Sequence, residues 1–397
     1  MDWTRAERHT VAATFMGWTL DAFDFFILTF VFPDLAAQFG VPVGQVSEFA
    51  LTVTLILRPL GAIIFGRLAD RYNRRSVFAF NIGLYSLFSF LTAFAPSLSV
   101  FFLIRGLFGI AMGGIWGVGA SLAFETTGAG KRGFVSGLMQ AGYPAGYLCA
   151  ALAFGFLHPI TGWRGLFMVG AIPALCVIVY LLTCVPAAPA WNRAKGPGVL
   201  AILSQHWRLA LYGIVLMTAY TFFSHGTQDL YPLFLQKQHG FGRPTVSAIA
   251  VTYNIGAVMG GILFGTLSQK LGRRRTAMTA ALLSLPVILV WAFSPTAVLL
   301  AIGAFVMQFM VQGAWGVVPA HLNELSPPSV RGTFPGTVYQ LGNLISASNP
   351  TIQTAIAGYT GGNYALAMAL VGACAALAIT LTMALGPEAH NAEIKSG

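Results

Sequence analysis

Twelve runs of mostly apolar residues divide this chain, at roughly 10–39, 46–66, 76–95, 98–124, 133–157, 164–186, 208–236, 245–268, 276–293, 297–322, 333–358 and 363–385. Most approach or exceed the ~20 residues that a helix needs to cross the hydrocarbon core of a bilayer. Lipid cannot hydrogen bond to a backbone, so a spanning segment must satisfy its own polar groups, and runs of this length do so as helices. Only 9% of the 397 residues are charged, against about 25% in soluble domains. The expected fold class is therefore an all-α membrane protein of twelve transmembrane helices. The opening MDWTRAERHT is short and mixed in charge, and it leads into an apolar segment too long for a signal-peptide core, so no cleaved signal is expected.

The formal net charge of +10 would suggest nucleic acid in a soluble protein. Here the cations sort by side. With the N-terminus inside, Arg5, Arg8, Arg67, Arg71, Arg74, Arg75, Lys131, Arg132, Arg193, Lys195, Arg208, Lys270, Arg273, Arg274, Arg275, Arg331 and Lys395 all fall on cytoplasmic segments. Arg164, Lys237 and Arg243 fall outside, and Arg58 and Arg105 lie within spans. Short cytoplasmic loops attract Lys and Arg. The bias places both termini in the cytoplasm and reads as topology, so no nucleic-acid partner is expected. The lipid bilayer is the surrounding partner, a cell (inner) membrane is the expected location, and a monomer is the expected state. The four cysteines, Cys149, Cys176, Cys184 and Cys374, lie in apolar runs without metal-type spacing and are expected to be small buried residues.

The chain also repeats itself. GRLADRYNRR (66–75) is matched by GTLSQKLGRRR (265–275), IWGVGASLAFE (115–125) by AWGVVPAHLNE (314–324), and KRGFVSG (131–137) by VRGTFPG (330–336), each at an offset of 199 residues. Such an offset implies two like-oriented six-helix halves: an N-terminal bundle 1–186, a cytoplasmic linker 187–207 and a C-terminal bundle 208–397. Parallel halves with a site at their interface near the bilayer midplane are one transporter architecture. The small-residue spacings Gly109–Gly113–Gly117 and Gly142–Gly146 suit close helix approach.

Six ionisable groups fall at membrane depth: Asp21, Asp24, Arg58, Arg105, His225 and Asp229. A central charge costs about 2.5–3.5 kcal/mol on insertion scales, so such groups usually face a bundle interior or an aqueous cavity. Asp21 and Asp24 are three apart on one helix face; they repel, so one could hold a proton, or either could pair with an arginine as a lock. Arg58 offers a planar fork to a carboxylate. It is a candidate for an anionic substrate, for a salt bridge to Asp21 or Asp24, or for both in competition. Arg105 lies nearer the outer surface, where a structural or gating role and substrate contact are both open. His225 and Asp229, four apart in SHGTQD, share a face. An imidazole beside a carboxylate can hold and release a proton near physiological pH. Gln340 and Asn343, three apart, suit either substrate oxygens or interhelical hydrogen bonds. Asp70, Arg71, Arg74 and Glu125 read as gating charges, with Gln269 replacing Asp70 in the second copy to make the gate asymmetric. For the arginines a bare topology role is the alternative.

GRLADRYNRR and its second copy resemble the signature loops of the major facilitator superfamily, and the resemblance covers essentially the whole chain. SHGTQD resembles the motif of Jen-type lactate/pyruvate–proton symporters, in the sialate–proton symporter family, which runs Asn-x-x-Ser/Thr-His-x-Ser/Thr-Gln-Asp-x-x-x-Thr. Ser224, His225, Thr227, Gln228 and Asp229 match it; Thr221 stands in place of the Asn and Leu233 in place of the last Thr. Arg58, Gln340, Asn343 and DAFDFF have similar counterparts there. The resemblance implies proton-coupled symport of a small monocarboxylate, with a larger acid (sialate, aromatic or dicarboxylic) as the alternative. The expected substrate-binding set is Arg58, Gln340, Asn343, Tyr143 and Asp24, and the expected proton-coupling set is His225, Asp229, Asp21 and Asp24. Asp70, Arg71, Arg74, Glu125 and Arg105 are expected to gate, and the expected partners are a small organic acid anion and a proton. No P-loop, HExxH or GxSxG is present and the histidines are scattered, so ATP drive, enzyme chemistry, a metal and a cofactor are not expected.

Overall fold

The computed structural model describes residues 2–187 and 204–390. Arg193 and Lys195, most of the expected linker 187–207, and Lys395 lie outside the described residues. Seven helices precede that gap: α1 Arg5–Phe30, α2 Phe32–Phe39, α3 Val43–Arg71, α4 Arg74–Thr92, α5 Leu98–Thr126, α6 Arg132–Phe156 and α7 His158–Cys184. Nine follow it: α8 Trp207–Gln228, α9 Tyr231–Lys237, α10 Arg243–Leu271, α11 Arg273–Phe293, α12 Ala297–Trp315, α13 Val318–Leu325, α14 Phe334–Ser346, α15 Asn349–Tyr359 and α16 Tyr364–Leu385. Among the described residues, nine segments are long and apolar enough to cross a membrane. The other expected spans are α4, α6 and the pair α14–α15.

Four expected spans are broken rather than continuous. The run 10–39 divides before Pro33, 208–236 before Pro232, 297–322 before Pro319 and 333–358 before Pro350, each proline sitting in the first turn of the new helix. Proline lacks an N–H and its ring clashes with the carbonyl four residues back, so the first turn is where a helix accepts it. Pro33 and Pro232 are a further pair at the repeat offset. Side chains start several helices: Thr4 and Glu7 form a capping box on α1, and Asn73, Ser97, Thr296 and Asn363 cap α4, α5, α12 and α16.

Glycine fixes the closest approaches. A Cβ at Gly61 would run into the Ile110 carbonyl on α5, and one at Gly260 into the Phe309 carbonyl on α12, the same contact one repeat later. Gly113 packs in the same way on the Arg58 carbonyl, which fixes the depth at which Arg58 leaves α3. Between the halves, Gly133 and Gly137 of α6 lie on the backbone of Gly265 and Gly261 of α10, while Gly66 and Gly117 lie on Thr333 and Gly336. Those approaches gather toward the end that carries the two signature loops. The short helices α2, α9 and α15, at the opposite end, pack chiefly on helices of their own half.

The cysteines depart from expectation. Cys149, Cys176 and Cys374 are exposed on the outer helix faces and Cys184 is half-buried. A spanning helix is apolar on its lipid face as well as its protein face, so apolar neighbours do not imply a buried thiol.

Candidate functional site

Between the two halves, polar side chains from both repeats meet. The Tyr339 side chain on α14 lies beside Arg58 of α3 and beside Asn343 one turn further along α14. Asn343 donates to Gln340 Oε1 at 3.4 Å and lies near His225. His225 Nδ1 is 3.0 Å from Asp229 Oδ2 and 3.2 Å from Oδ1. Tyr143 of α6 lies in the electrostatic field of Arg58, Asp229 and Tyr339. Arg58, Tyr143, Gln340, Asn343, His225 and Asp229 thus occupy one neighbourhood, reached from α3, α6, α8 and α14.

Two features of this neighbourhood suit a ligand. Arg58 is 3% exposed, yet its Nε and Nη2 have no partner, and the Gln340 Nε2 is likewise buried without one. Unpartnered buried donors are costly and rare. His225 and Asp229, in contrast, each keep 35% of their side-chain surface accessible although they sit in the inner face of the bundle. The site therefore has a dry edge of unused donors and a wet edge bearing a proton-binding pair.

Below it lies an aromatic floor. Trp116 and Trp315, one repeat apart, flank Tyr339 with ring centroids at 4.8 Å and 5.7 Å. The Trp116 indole donates to Gln140 at 3.2 Å and the Trp315 indole to the Tyr220 carbonyl at 3.1 Å, so both rings are held in place. To the side, Trp18, Phe26, Tyr143 and Tyr147 form a continuous wall with centroid distances between 4.9 and 5.7 Å. Tyr147 lies near Tyr253 of α10, which in turn lies near Gln228 of the SHGTQD stretch.

A second polar group is sealed inside the N-terminal helices. Asp24 accepts from the Ser89 hydroxyl at 2.7 Å. Asp21 and Arg105 are 0% exposed; neither Asp21 oxygen and none of the Arg105 nitrogens has a hydrogen-bond partner, and the guanidinium lies 3.9 Å over the Phe108 ring. Arg105, two turns into α5, is a core residue facing Asp21 and Asp24. Arg58 lies in the field of Asp21, but no ion pair joins it to either aspartate. Asp24, expected in both the substrate and proton sets, sits with this cluster.

At the signature-loop end the halves are tied together. Asp70 accepts from the Gly332 and Thr333 backbone N–H groups at 2.7 and 3.0 Å and from the Thr333 hydroxyl at 2.6 Å. Arg74 links Asp70 at 3.3 Å to Glu125 at 2.5 Å. One repeat later, Gln269 accepts from Gly133 N–H at 2.9 Å, and Arg273 joins it to Glu324, at 3.1 Å and 2.8 Å. The two ties join equivalent positions and differ in charge, a carboxylate in one and an amide in the other. Arg71 is exposed at the end of α3 and makes no hydrogen bond or ion pair among the described residues, so it takes no part in the tie. Ser136 adds a contact from the Ala320 N–H at 3.0 Å.

Sequence reasoning passed over Tyr339, which lies beside Arg58 and Asn343, although it adjoins Gln340 in YQLGN. It also passed over Arg273 and Glu324, and over the paired tryptophans, which stand at equivalent places in the quoted repeats. Among the described residues no group of three His, Cys, Asp or Glu side chains could hold a metal ion.

The family model of the major facilitator superfamily matches residues 14–345 and 230–393. A carboxylic acid transporter protein homolog of Saccharomyces cerevisiae is 31% identical over 381 residues, covering 86% of this chain and 61% of the yeast protein. The chain thus spans less than two thirds of that relative. The sialic acid transporter NanX of Escherichia coli is 24% identical, covering 89% of this chain and 88% of its own length. Among solved structures, the proton:xylose symporter XylE superposes with a TM-score of 0.78 at 17% identity, covering 98% of both chains.

Proposed function

The chain belongs to the major facilitator superfamily, a family of multi-pass membrane transporters, and on that premise we propose that it carries a small monocarboxylate such as lactate or pyruvate together with a proton, by alternating access. Its two bundles, 1–186 and 208–397, rock about the site between them, joined by a cytoplasmic linker over 187–207. The signature-loop end is cytoplasmic, as are both termini, and the carrier works as a monomer in the cell (inner) membrane. The tied cytoplasmic end and the water-accessible His225–Asp229 pair describe its outward-facing state.

The observation that carries this reading is the meeting, across both halves, of a buried Arg58 with two unpartnered nitrogens and the accessible, hydrogen-bonded His225–Asp229 pair. The substrate carboxylate binds the free Nε and Nη2 of Arg58, and Gln340, Asn343 and Tyr143 complete its contacts. His225 and Asp229, with Asp21 and Asp24, hold the coupling proton. A neutral load crosses more readily than a charged one, because an uncompensated charge in a closed cavity is costly. Asp70, Arg74 and Glu125, with Arg273 and Glu324, close the inner gate, while Arg105 acts from the core.

The aromatic wall of Trp18, Phe26, Tyr143 and Tyr147 favours one alternative cargo, a larger organic acid (sialate, aromatic or dicarboxylic), and the sialic acid relative points the same way. Acid-driven uptake into proteoliposomes separates the two. Lactate or pyruvate should accumulate and outcompete acetate and sialate, and Asp229→Asn should abolish accumulation. Accumulation of lactate by that variant under a proton gradient would contradict the assignment, and accumulation of only larger acids would favour the alternative.

A further inference from the structure

Two of the helix breaks stand at equivalent places, before Pro33 and before Pro232, and the chain closes them differently. α1 ends with the Val31 N–H on the Leu28 carbonyl at 3.3 Å, a bond within the backbone, among apolar side chains. α8 ends with the Asp229 N–H on the His225 carbonyl at 3.0 Å. Pro232 stops the helix there, so the Gly226 and Thr227 carbonyls lose the partners that a continuing helix would give them. Side chains of two other helices take their place. Gln353 of α15 donates to the Gly226 carbonyl at 2.6 Å. Gln308 of α12 donates to the Thr227 hydroxyl at 3.0 Å and reaches the Thr227 carbonyl at 3.5 Å. All three polar side chains, Thr227, Gln308 and Gln353, are at most 2% exposed. Asn349 lies beside Gly226, buried, with both ends of its amide unpartnered, as is the Gln353 Oε1. Unused polar atoms are costly to bury, and an apolar filling would close this gap without that cost. The N-terminal half has such a filling: one repeat before Gly226, Thr227, Gln308, Asn349 and Gln353 stand Ile27, Leu28, Gly109, Ala150 and Phe154. The amides therefore serve something that the break before Pro33 lacks, and the broken turn of α8 is the one that carries His225 and Asp229.

We propose that Gln353 and Gln308 are positioning residues for the His225–Asp229 pair: they take the backbone carbonyls that the Pro232 break sets free, and so hold the turn 225–229 helical with the imidazole facing the carboxylate. The inference rests on the reading of that pair as the proton-holding group. Residues four apart face each other only while the chain between them stays helical, and helix ends fray. The pair sits at such an end, with a third of each side chain open to water. Water on that side would compete for carbonyls left without partners. The brace works from the opposite, dry side, where Gly226 and Thr227 meet α15 and α12. Neutral amides suit the task, because a cation or carboxylate in their place would bias the proton's residence on the pair.

Magnetic resonance of the full-length reconstituted carrier with isotope-labelled histidine tests this. The hydrogen-bonded imidazole signal of His225 is the one lost in His225→Gln. Gln353→Met keeps the side-chain length and removes the donor. It should abolish that signal and lower uphill lactate accumulation by about tenfold to a hundredfold, while lactate-for-lactate exchange continues. Pro232→Ala lets the backbone run on, so that the Leu230 and Tyr231 N–H groups can take the two carbonyls. Added to Gln353→Met, it should restore the signal. An unchanged signal in Gln353→Met would overturn the inference, and an equal fall of accumulation and exchange beside it would mark the amide as packing alone. A signal that stays lost after Pro232→Ala would overturn it too, for the amide would then be holding something other than the freed carbonyl. If Gln353→Met proves poorly folded, the double variant regains its backbone bonds and should fold and show the signal; its failure counts against the inference. Loss of the signal with accumulation unchanged would leave the brace standing and remove the proton role of the pair, which separates this inference from the functional reading beneath it.

Discussion

At the scale of single residues, the account turns on which buried donors are left unused. Arg58 presents two free nitrogens of a rigid fork, which Lys cannot reproduce. Arg58→Lys should therefore keep the charge yet lower lactate kcat/KM by about tenfold to a hundredfold, matching the loss of about 1.5–3 kcal/mol for a charge-assisted hydrogen bond. Initial-rate uptake in proteoliposomes measures it, and an unchanged kcat/KM would refute bidentate binding. Tyr339→Phe removes only the hydroxyl beside Arg58 and Asn343 and keeps the ring between Trp116 and Trp315. It should weaken substrate binding several-fold, about 1 kcal/mol, with little change in melting temperature. The identities of Arg58, His225 and Asp229 were legible in the sequence, because charges inside apolar runs stand out. Tyr339 was not, since a tyrosine among aromatic and apolar neighbours carries no such contrast. The exposure of Cys149, Cys176 and Cys374 was not legible either, because rotation about a helix axis is invisible where lipid and protein faces are equally apolar.

At the scale of helices, glycines and the signature-loop ties set how the halves meet. Asp70 spends a carboxylate on three donors of the opposite half. Asp70→Asn should weaken that tie by about 1.5–3 kcal/mol and shift the population toward the inward-open form by about tenfold or more. Spin-label distances across the cytoplasmic end report it; an unchanged distance distribution would mean that Asp70 does not hold the gate. Gly265→Leu places a side chain where α6 and α10 touch backbone to backbone. It should prevent that end from closing, so outward-facing labels lose accessibility while the protein still inserts in the membrane. The helix boundaries were readable from apolar length, but the breaks before Pro33, Pro232, Pro319 and Pro350 were passed over, since hydropathy does not fall there. Proline chemistry is the signal that would have found them.

At the scale of the whole molecule, the 199-residue repeat was the most informative element of the sequence. It implied two like-oriented halves, and the structure carries it into detail: the Asp70–Gly332 tie recurs as Gln269–Gly133, and the Gly61–Ile110 contact as Gly260–Phe309. What the repeat could not convey is function, which depends on where the halves differ. Arg58, His225 and Asp229 have no equivalents one repeat away, for those positions hold Ala257, Phe26 and Phe30. One bundle thus brings the buried Arg58 and the other the accessible His225–Asp229 pair, and the asymmetry of the halves is chemical rather than architectural.

The most direct measurement of the central claim is simultaneous recording of labelled lactate influx and internal acidification in the same proteoliposomes, with the outside acidic and no other ion gradient. Lactate and protons should enter in a fixed ratio of about one to one, as transport of a neutral load would require, and both fluxes should fall together in Arg58→Lys. Lactate entry without acidification, or with a ratio that drifts with external pH, would contradict the account.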